Sequence, residues 1–218
     1  MNNILFFLIG RGVILGFSAA SVPGPMQGYL INTSLKFGWR KALYIIASPL
    51  IVDIPIILTV LFALETMEAV VPQIVDGIRI IGGLFVLYLA WGAMQDLRQD
   101  NLLTATDTTQ SISNNGISIL GRAMLLNLLS PGPYIFWTTV NGPLLKQGLE
   151  QSVGHGVAFL IAFYGTFLSG LIAIAVFIDW LRRLDKRVSQ GILVFTIILL
   201  VGLGVWLLYE GVSAFVAF

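Results

Sequence analysis

The run Ser21-Val22-Pro23-Gly24-Pro25 and its echo Leu129-Ser130-Pro131-Gly132-Pro133 constrain this chain more than any other feature. Each interrupts a long apolar segment that would otherwise read as one membrane-spanning helix. Proline withholds a backbone donor and clashes with the preceding turn, and glycine adds conformational freedom. Two prolines flanking a glycine therefore end one helix and let another begin. Backbone groups freed at such a break are tolerated at membrane depth only when buried in protein or lining a water-filled cavity. For either break alone, a simple proline kink in a packed helix is the alternative. Two breaks, one in each half, point instead to a substrate site built from interrupted helices.

Composition sets the class. Hydrophobic residues make up 57% of the chain and charged ones 11%, and the mean hydropathy is strongly positive. That balance predicts an all-α integral membrane protein with several crossings. A net charge of +1 offers no basic surface for nucleic acid. With no cysteine, disulfides, thiol catalysis and cysteine-ligated metal are excluded. The start Met1-Asn2-Asn3 lacks the basic region and small-residue cleavage site of a signal peptide, so the first apolar segment is expected to be retained.

A crossing takes roughly 20 apolar residues, and six segments qualify: about 4–31, 42–64, 72–95, 117–144, 154–178 and 190–215. The first and fourth are too long for one straight crossing and are the two that carry Pro-Gly-Pro. Lys36, Arg40 and Lys41 follow the first segment, Arg98 the third with Arg122 soon after, and Arg182, Arg183, Lys186 and Arg187 the fifth. The opposite links hold Glu65, Glu68 and Asp76, and Lys146 with Glu150. Basic residues concentrate on the cytoplasmic side, so both termini are expected outside.

The first half is expected over 1–97 and the second over 117–218, joined by a polar cytoplasmic linker over 98–116. Besides the two breaks, Gly38 matches Gly154 or Gly156, and Gly82-Gly83 resembles Gly202 and Gly204. Three crossings per half is an odd number, so the second copy enters from the opposite side. The sequence thus predicts two inverted three-helix repeats, with helices 1 and 4 broken at Pro-Gly-Pro.

The pattern Ser21-Val-Pro-Gly-Pro, then Gly38-Trp-Arg-Lys-Ala, Asp53 in an apolar helix, and Tyr88-Leu-Ala-Trp-Gly92 resembles the first half of the LysE/RhtB amino-acid exporters. The run Gly121-Arg122-Ala-Met-Leu-Leu-Asn127-Leu-Leu-Ser130-Pro131, followed by Phe136-Trp137, resembles that family's second signature. The likeness spans essentially the whole chain. One departure stands out: Ser130-Pro131-Gly132 occupies the place where the family usually has Asn-Pro-Lys, without its amide and cation. The resemblance implies export of amino acids or similar small metabolites across the cytoplasmic membrane of a prokaryote, driven by a proton or other cation gradient. Distant relatives that handle metal ions supply the alternative of an inorganic-cation exporter. A homodimer is compatible with this reading, and no cofactor is called for.

Asp53 is the one acidic residue read deep inside an apolar segment. A charge there costs a few kcal/mol even on lenient scales, so it should face the bundle interior with a partner. It reads as a proton carrier or an anchor for a substrate ammonium, against a purely structural ion pair or a hydrogen bond to broken-helix amides. Gln27, Asn32, Asn127, Ser130, Tyr134, Thr138, Thr139 and Asn141 surround the breaks. They are suited either to hydrogen-bond a zwitterion or to satisfy freed backbone groups, while helix starts after Pro25 and Pro133 favour a carboxylate. The expected substrate site is thus Pro23, Gly24, Pro25, Gln27, Asp53, Asn127, Ser130, Pro131, Gly132, Pro133 and Tyr134, with Asp53 also coupling transport to the gradient.

Arg11 is placed to pair with Glu210 or to snorkel, and Arg122 to snorkel. Gly12-Val-Ile-Leu-Gly16 is a small-xxx-small packing pattern. Trp39, Trp91, Trp137, Trp180 and Trp206 are expected in interfacial belts. An intramembrane aspartyl protease needs two facing carboxylates, and only Asp53 is read as deep enough. Ser169 with His155 as base would be some 20 Å apart on one helix. The chain is therefore not expected to be an enzyme. A metal site is not expected either, since one histidine and one buried carboxylate supply too few ligands.

Overall fold

The computed structural model describes residues 2–98, 115–182 and 186–216, with the side chains of 2, 63–78, 96–98, 186–189 and 214–216 left aside. Most of the expected linker 98–116 lies outside the described residues. Every element among them is helical. In order they are α1 (Asn2–Ser21), α2 (Pro25–Phe37), α3 (Trp39–Ile46), α4 (Ser48–Arg98), α5 (Gly116–Leu128) and α6 (Pro131–Phe136). A π-helical turn (Trp137–Asn141) follows, then α7 (Gly142–Gln151), α8 (Val153–Leu181) and α9 (Lys186–Val216).

Among the described residues, four helical stretches are long and apolar enough to cross a membrane: Asn3–Ser21, Trp39–Phe62, Val153–Leu181 and Gln190–Ser213. Arg79–Gln95 and Gly116–Leu128 are shorter apolar helices. Large apolar side chains point outward along these elements, with Phe62 87%, Phe6 70%, Ile161 67% and Ile198 65% exposed. A continuous apolar exterior of this kind suits lipid rather than water. The chain is a multi-pass membrane protein.

Helix ends fall where backbone chemistry puts them. α1 stops at Ser21, and α2 starts with Pro25 at its first position after an extended Gly24. A proline there loses nothing, because the first amides of a helix have no partner to lose. α5 ends at Leu128, and α6 opens with Pro131 after an extended Ser130. Between α2 and α3 lies Gly38 with φ +84, whose amide bonds to the Ser34 carbonyl at 3.0 Å. Only glycine takes that left-handed conformation without strain. Ser152 caps α8 by accepting from the His155 amide at 3.3 Å, and its hydroxyl lies 2.7 Å from His155 Nδ1. That accounts for the lone histidine as part of a helix cap.

The sequence reading expected separate crossings over 42–64 and 72–95, whereas α4 runs unbroken from Ser48 to Arg98. It cannot be straight. Asp53 lies beside the Asn127 side chain, and a Cβ on Gly82 would run into the Leu129 carbonyl. Asn127 and Leu129 are neighbours, yet a straight helix from Asp53 to Gly82 would span ~43 Å. α4 therefore bends back within that stretch. Its first part lies against the π-turn and α7, and its last part lies along α9.

Glycines set the two closest helix pairings. Along α1 and α8, a Cβ on Gly12 would meet Ala162 Cβ and the Phe159 carbonyl at 2.9 Å, and one on Gly16 would strike the Phe163 carbonyl. Along α4 and α9, Gly83 and Gly204 each face the other's carbonyl oxygen, at 2.9 and 3.2 Å from the Cβ positions. In lipid there is little hydrophobic drive between helices, so close backbone contact is what holds them. Gly16→Val forces α1 away from α8 and is expected to cost about 1–3 kcal/mol, read as a lower unfolding temperature in detergent. An unchanged temperature would show that the α1–α8 contact is not a stabilising one.

Candidate functional site

Asp53, Asn127, Thr138 and Asn141 are among the buried polar side chains. Asp53, on the first part of α4, is 5% exposed. Tyr164 on α8 donates its hydroxyl to Asp53 Oδ2 at 2.9 Å. The side chains of Trp137 and Asn127 lie beside the same carboxylate, and Tyr134 is also near it. Asp53 Oδ1 and Asn127 Nδ2 are both buried without a hydrogen-bond partner among the described residues. One carboxylate oxygen is thus held and the other is unengaged.

Aromatic rings make the wall. Trp137 is 1% exposed, stacks on Tyr164 with centroids 6.2 Å apart, and meets Phe163 edge-on at 5.7 Å. Phe159, Phe163 and Phe167 stack at successive turns of α8, 6.5 and 5.8 Å apart. This dry surrounding strengthens any charge interaction at the carboxylate.

The π-turn shapes the next level. The Gly142 amide reaches back to the Trp137 carbonyl, so the helix widens by one residue there. Trp137, Thr138 and Asn141 are all turned inward and buried. Such turns recur at functional positions because they re-aim side chains. Thr138 donates to the Tyr134 carbonyl at 2.7 Å. Asn141 is 0% exposed, with both its amide nitrogen and oxygen unpartnered.

Of the residues expected at a site, Asp53 and Asn127 come together and Tyr134 joins them. Gln27 instead donates to the Ala19 carbonyl at 3.3 Å, bridging the break between α1 and α2. Tyr134 donates to the Leu128 carbonyl at 2.9 Å, doing the same across the second break. Pro23 and Gly132 are exposed, and Gly24, Pro25, Ser130, Pro131 and Pro133 are half-buried. A Cβ on Gly24 would meet only Gln27, and one on Gly132 only Ser130, so neither glycine is pressed against the other break.

Three expectations change. Trp137 belongs to this buried cluster and not to an interfacial belt, whereas Trp91, Trp180 and Trp206 are 63%, 53% and 52% exposed. Glu210 pairs with Arg79 at 3.8 Å, because α9 lies along α4, while Arg11 sits over the Phe7 ring at 5.1 Å. Asp53 is also not the single buried acid: Asp179, near the end of α8, is 3% exposed and pairs with Arg182 at 2.7 Å. An aspartate three residues before an arginine at a helix end was the available signal for that pair. Tyr164 carried no signal, being one more aromatic residue in an apolar run.

Residues 17–211 match the family model described as LysE type translocator. The chain belongs to the LysE-type translocator family. No curated protein and no solved structure matches it. In this translocator the Asp53 carboxylate is buried among α4, α5 and α8.

Asn141 gives a test of how this site is built. A buried amide with neither atom bonded costs free energy that an apolar group of similar shape does not. Asn141→Leu is therefore expected to stabilise the folded translocator by about 1 kcal/mol, read as a higher unfolding temperature. A lower temperature would mean that Asn141 is bonded in the folded state.

Proposed function

We propose that this translocator is a secondary exporter of amino acids or related small metabolites, coupled to a proton or other cation gradient by alternating access. The observation that carries the reading is the half-engaged Asp53 carboxylate. Tyr164 holds one oxygen, and the other is buried without a partner beside an equally unpartnered Asn127 amide. An anionic acceptor next to a neutral donor is complementary to a solute bearing an ammonium and a carboxylate. Aromatic faces of Trp137 and Tyr164 favour the same cation. Asp53 is the charge partner of the substrate ammonium in one state and carries the coupling proton in another. The residues flanking the breaks (Pro23, Gly24, Pro25 and Gln27, with Ser130, Pro131, Gly132, Pro133 and Tyr134) complete the pathway by offering backbone groups and helix starts to the carboxylate.

The helix pairings support an inverted-repeat layout with six crossings. Under a two-fold axis in the membrane plane, the α2–α8 contact would exchange with that between the first part of α4 and the segment from Pro131 to Gln151. The pairing of the last part of α4 with α9 would map onto itself, and Gly83 facing Gly204 is what such self-symmetry requires. The basic links place the cytoplasm beside Lys36–Lys41 and Arg182–Arg187, and both termini outside, in a prokaryotic cytoplasmic membrane.

Two measurements test this. Asp53→Asn removes a buried charge and keeps its shape, so the fold should persist while gradient-driven export of amino acids from proteoliposomes is lost. Wild-type export with the same pH dependence would show Asp53 to be structural. For orientation, the chain has no cysteine of its own, so a Ser113→Cys reporter should react with a membrane-impermeant maleimide only from the cytoplasmic side. Labelling only from outside would invert the topology.

A further inference from the structure

A second charged group joins the two halves away from Asp53, at the far end of α8. Asp179 is 3% exposed, and Arg182 Nε lies 2.7 Å from its Oδ1, a close ion pair rather than an aligned hydrogen bond. The same guanidinium reaches across to α2, where Arg182 Nη1 donates to the Leu35 carbonyl at 3.2 Å and the Lys36 carbonyl at 3.4 Å. Those are the last carbonyls of α2, which have no partner within their own helix. A cation at a helix C-terminus also meets the negative end of the helix dipole. Arg182 therefore caps a helix of the first half from a helix of the second, and Asp179 holds it there.

Immediately beyond this contact the chain turns at Gly38. Its φ of +84 excludes other residues, and a Cβ would lie 3.1 Å from Asp179 Oδ1 and 3.2 Å from Arg182 Nη2. The backbone is drawn up against the ion pair, so that a side chain here would crowd it by a few tenths of an ångström. Around it, Phe37, Gly38, Trp39, Arg40, Asp179 and Arg182 line a cavity of about 310 Å³. Behind α2 lies Ser48, 0% exposed, with its hydroxyl 3.9 Å from Met26 Sδ of α2. Ser48 heads the helix that carries Asp53, so the N-terminal end of α2, opposite the capped end, lies beside the start of that helix.

We propose that Asp179, Arg182 and the Gly38 turn form an inner latch. While the guanidinium caps α2, the helix stays against α8 and the route from the cytoplasm to Asp53 is shut. When the cap is released, α2 swings on the flexible turn at Gly38 and on the break before Pro25, and the route opens. Arg182 is a positioning residue in this scheme, acting on α2 and not on the solute. Lysine is a poor substitute, because only a guanidinium forks between a carboxylate and two carbonyls at once. The inference rests on the proposed orientation, with the basic links inside, but not on the role assigned to Asp53.

The test uses the full-length chain in membrane vesicles of known sidedness, with single-cysteine reporters at Ser48 for the inner route and Thr138 for the outer. The rate of labelling by a membrane-impermeant maleimide is measured from each face. Arg182→Gln is expected to raise inner labelling of Ser48→Cys at least about tenfold, since charge-assisted bonds are lost, and to lower outer labelling of Thr138→Cys. Arg182→Lys should fall between. Gly38→Ala, which crowds the ion pair from the other side, should act in the same direction and serves if Arg182→Gln fails to fold. Unchanged rates in folded variants would overturn the latch, as would a parallel rise at both reporters, which means general loosening. A rise at Ser48→Cys seen only from the outer face would overturn its inner placement, together with the orientation, and leave the Asp53 site untouched. A purely structural ion pair would lower the unfolding temperature without moving the two reporters in opposite directions.

Discussion

A carboxylate in the middle of an apolar bundle is the constraint around which the rest is arranged. Lipid offers Asp53 no donor, so the protein has to surround it with its own. It does so by bringing three distant segments together: α4 carries the acid, the end of α5 brings Asn127, and α8 brings Tyr164. The π-turn after α6 delivers Trp137 to the same spot. Each of those placements demands a particular packing, and small residues permit it. Glycines on α1, α4 and α9 let backbones approach to within a carbonyl's reach, which is closer than any side chain would allow.

Satisfaction is incomplete, and that is informative. Freed backbone at the two breaks is tied locally by Gln27 and Tyr134, and the α2 carbonyls are capped by Arg182. Among the described residues, the buried polar atoms without a hydrogen-bond partner include Asp53 Oδ1, Asn127 Nδ2, both side-chain polar atoms of Asn141 and the Ser34 hydroxyl. Under the proposed function, the bare Asp53 oxygen is the one that a substrate ammonium or a coupling proton would meet. Natural sequences violate local rules mainly where function requires it.

Much of this was legible beforehand. Asp53 stood out because an acid in an apolar run has to be accommodated, and Asn127 because it precedes a proline break. The breaks themselves followed from proline's missing donor and its clash with the preceding turn. What sequence could not supply was which helix lies against which. Arg11 and Glu210 matched in depth, yet α1 lies along α8 and α9 along α4, so Glu210 meets Arg79 instead. Tyr164 lies 111 positions from Asp53 and was hidden among equivalent aromatics. Trp137 resembled an interfacial residue until the π-turn rotated it inward. Asp179 was not singled out, because burial at a helix end depends on the neighbouring helix and not on the local pattern.

The central claim is that the space around Asp53 opens to each side of the membrane in turn. Asn127 lies beside Asp53 and is 6% exposed, and the absence of cysteine elsewhere makes a single reporter clean. The direct measurement is the labelling of Asn127→Cys by a membrane-impermeant maleimide added separately to each face of sealed vesicles. Alternating access predicts reaction from both faces, with either reaction blocking the other. Reaction from neither face, or from one face alone, would contradict it and leave Asp53 as part of a sealed core.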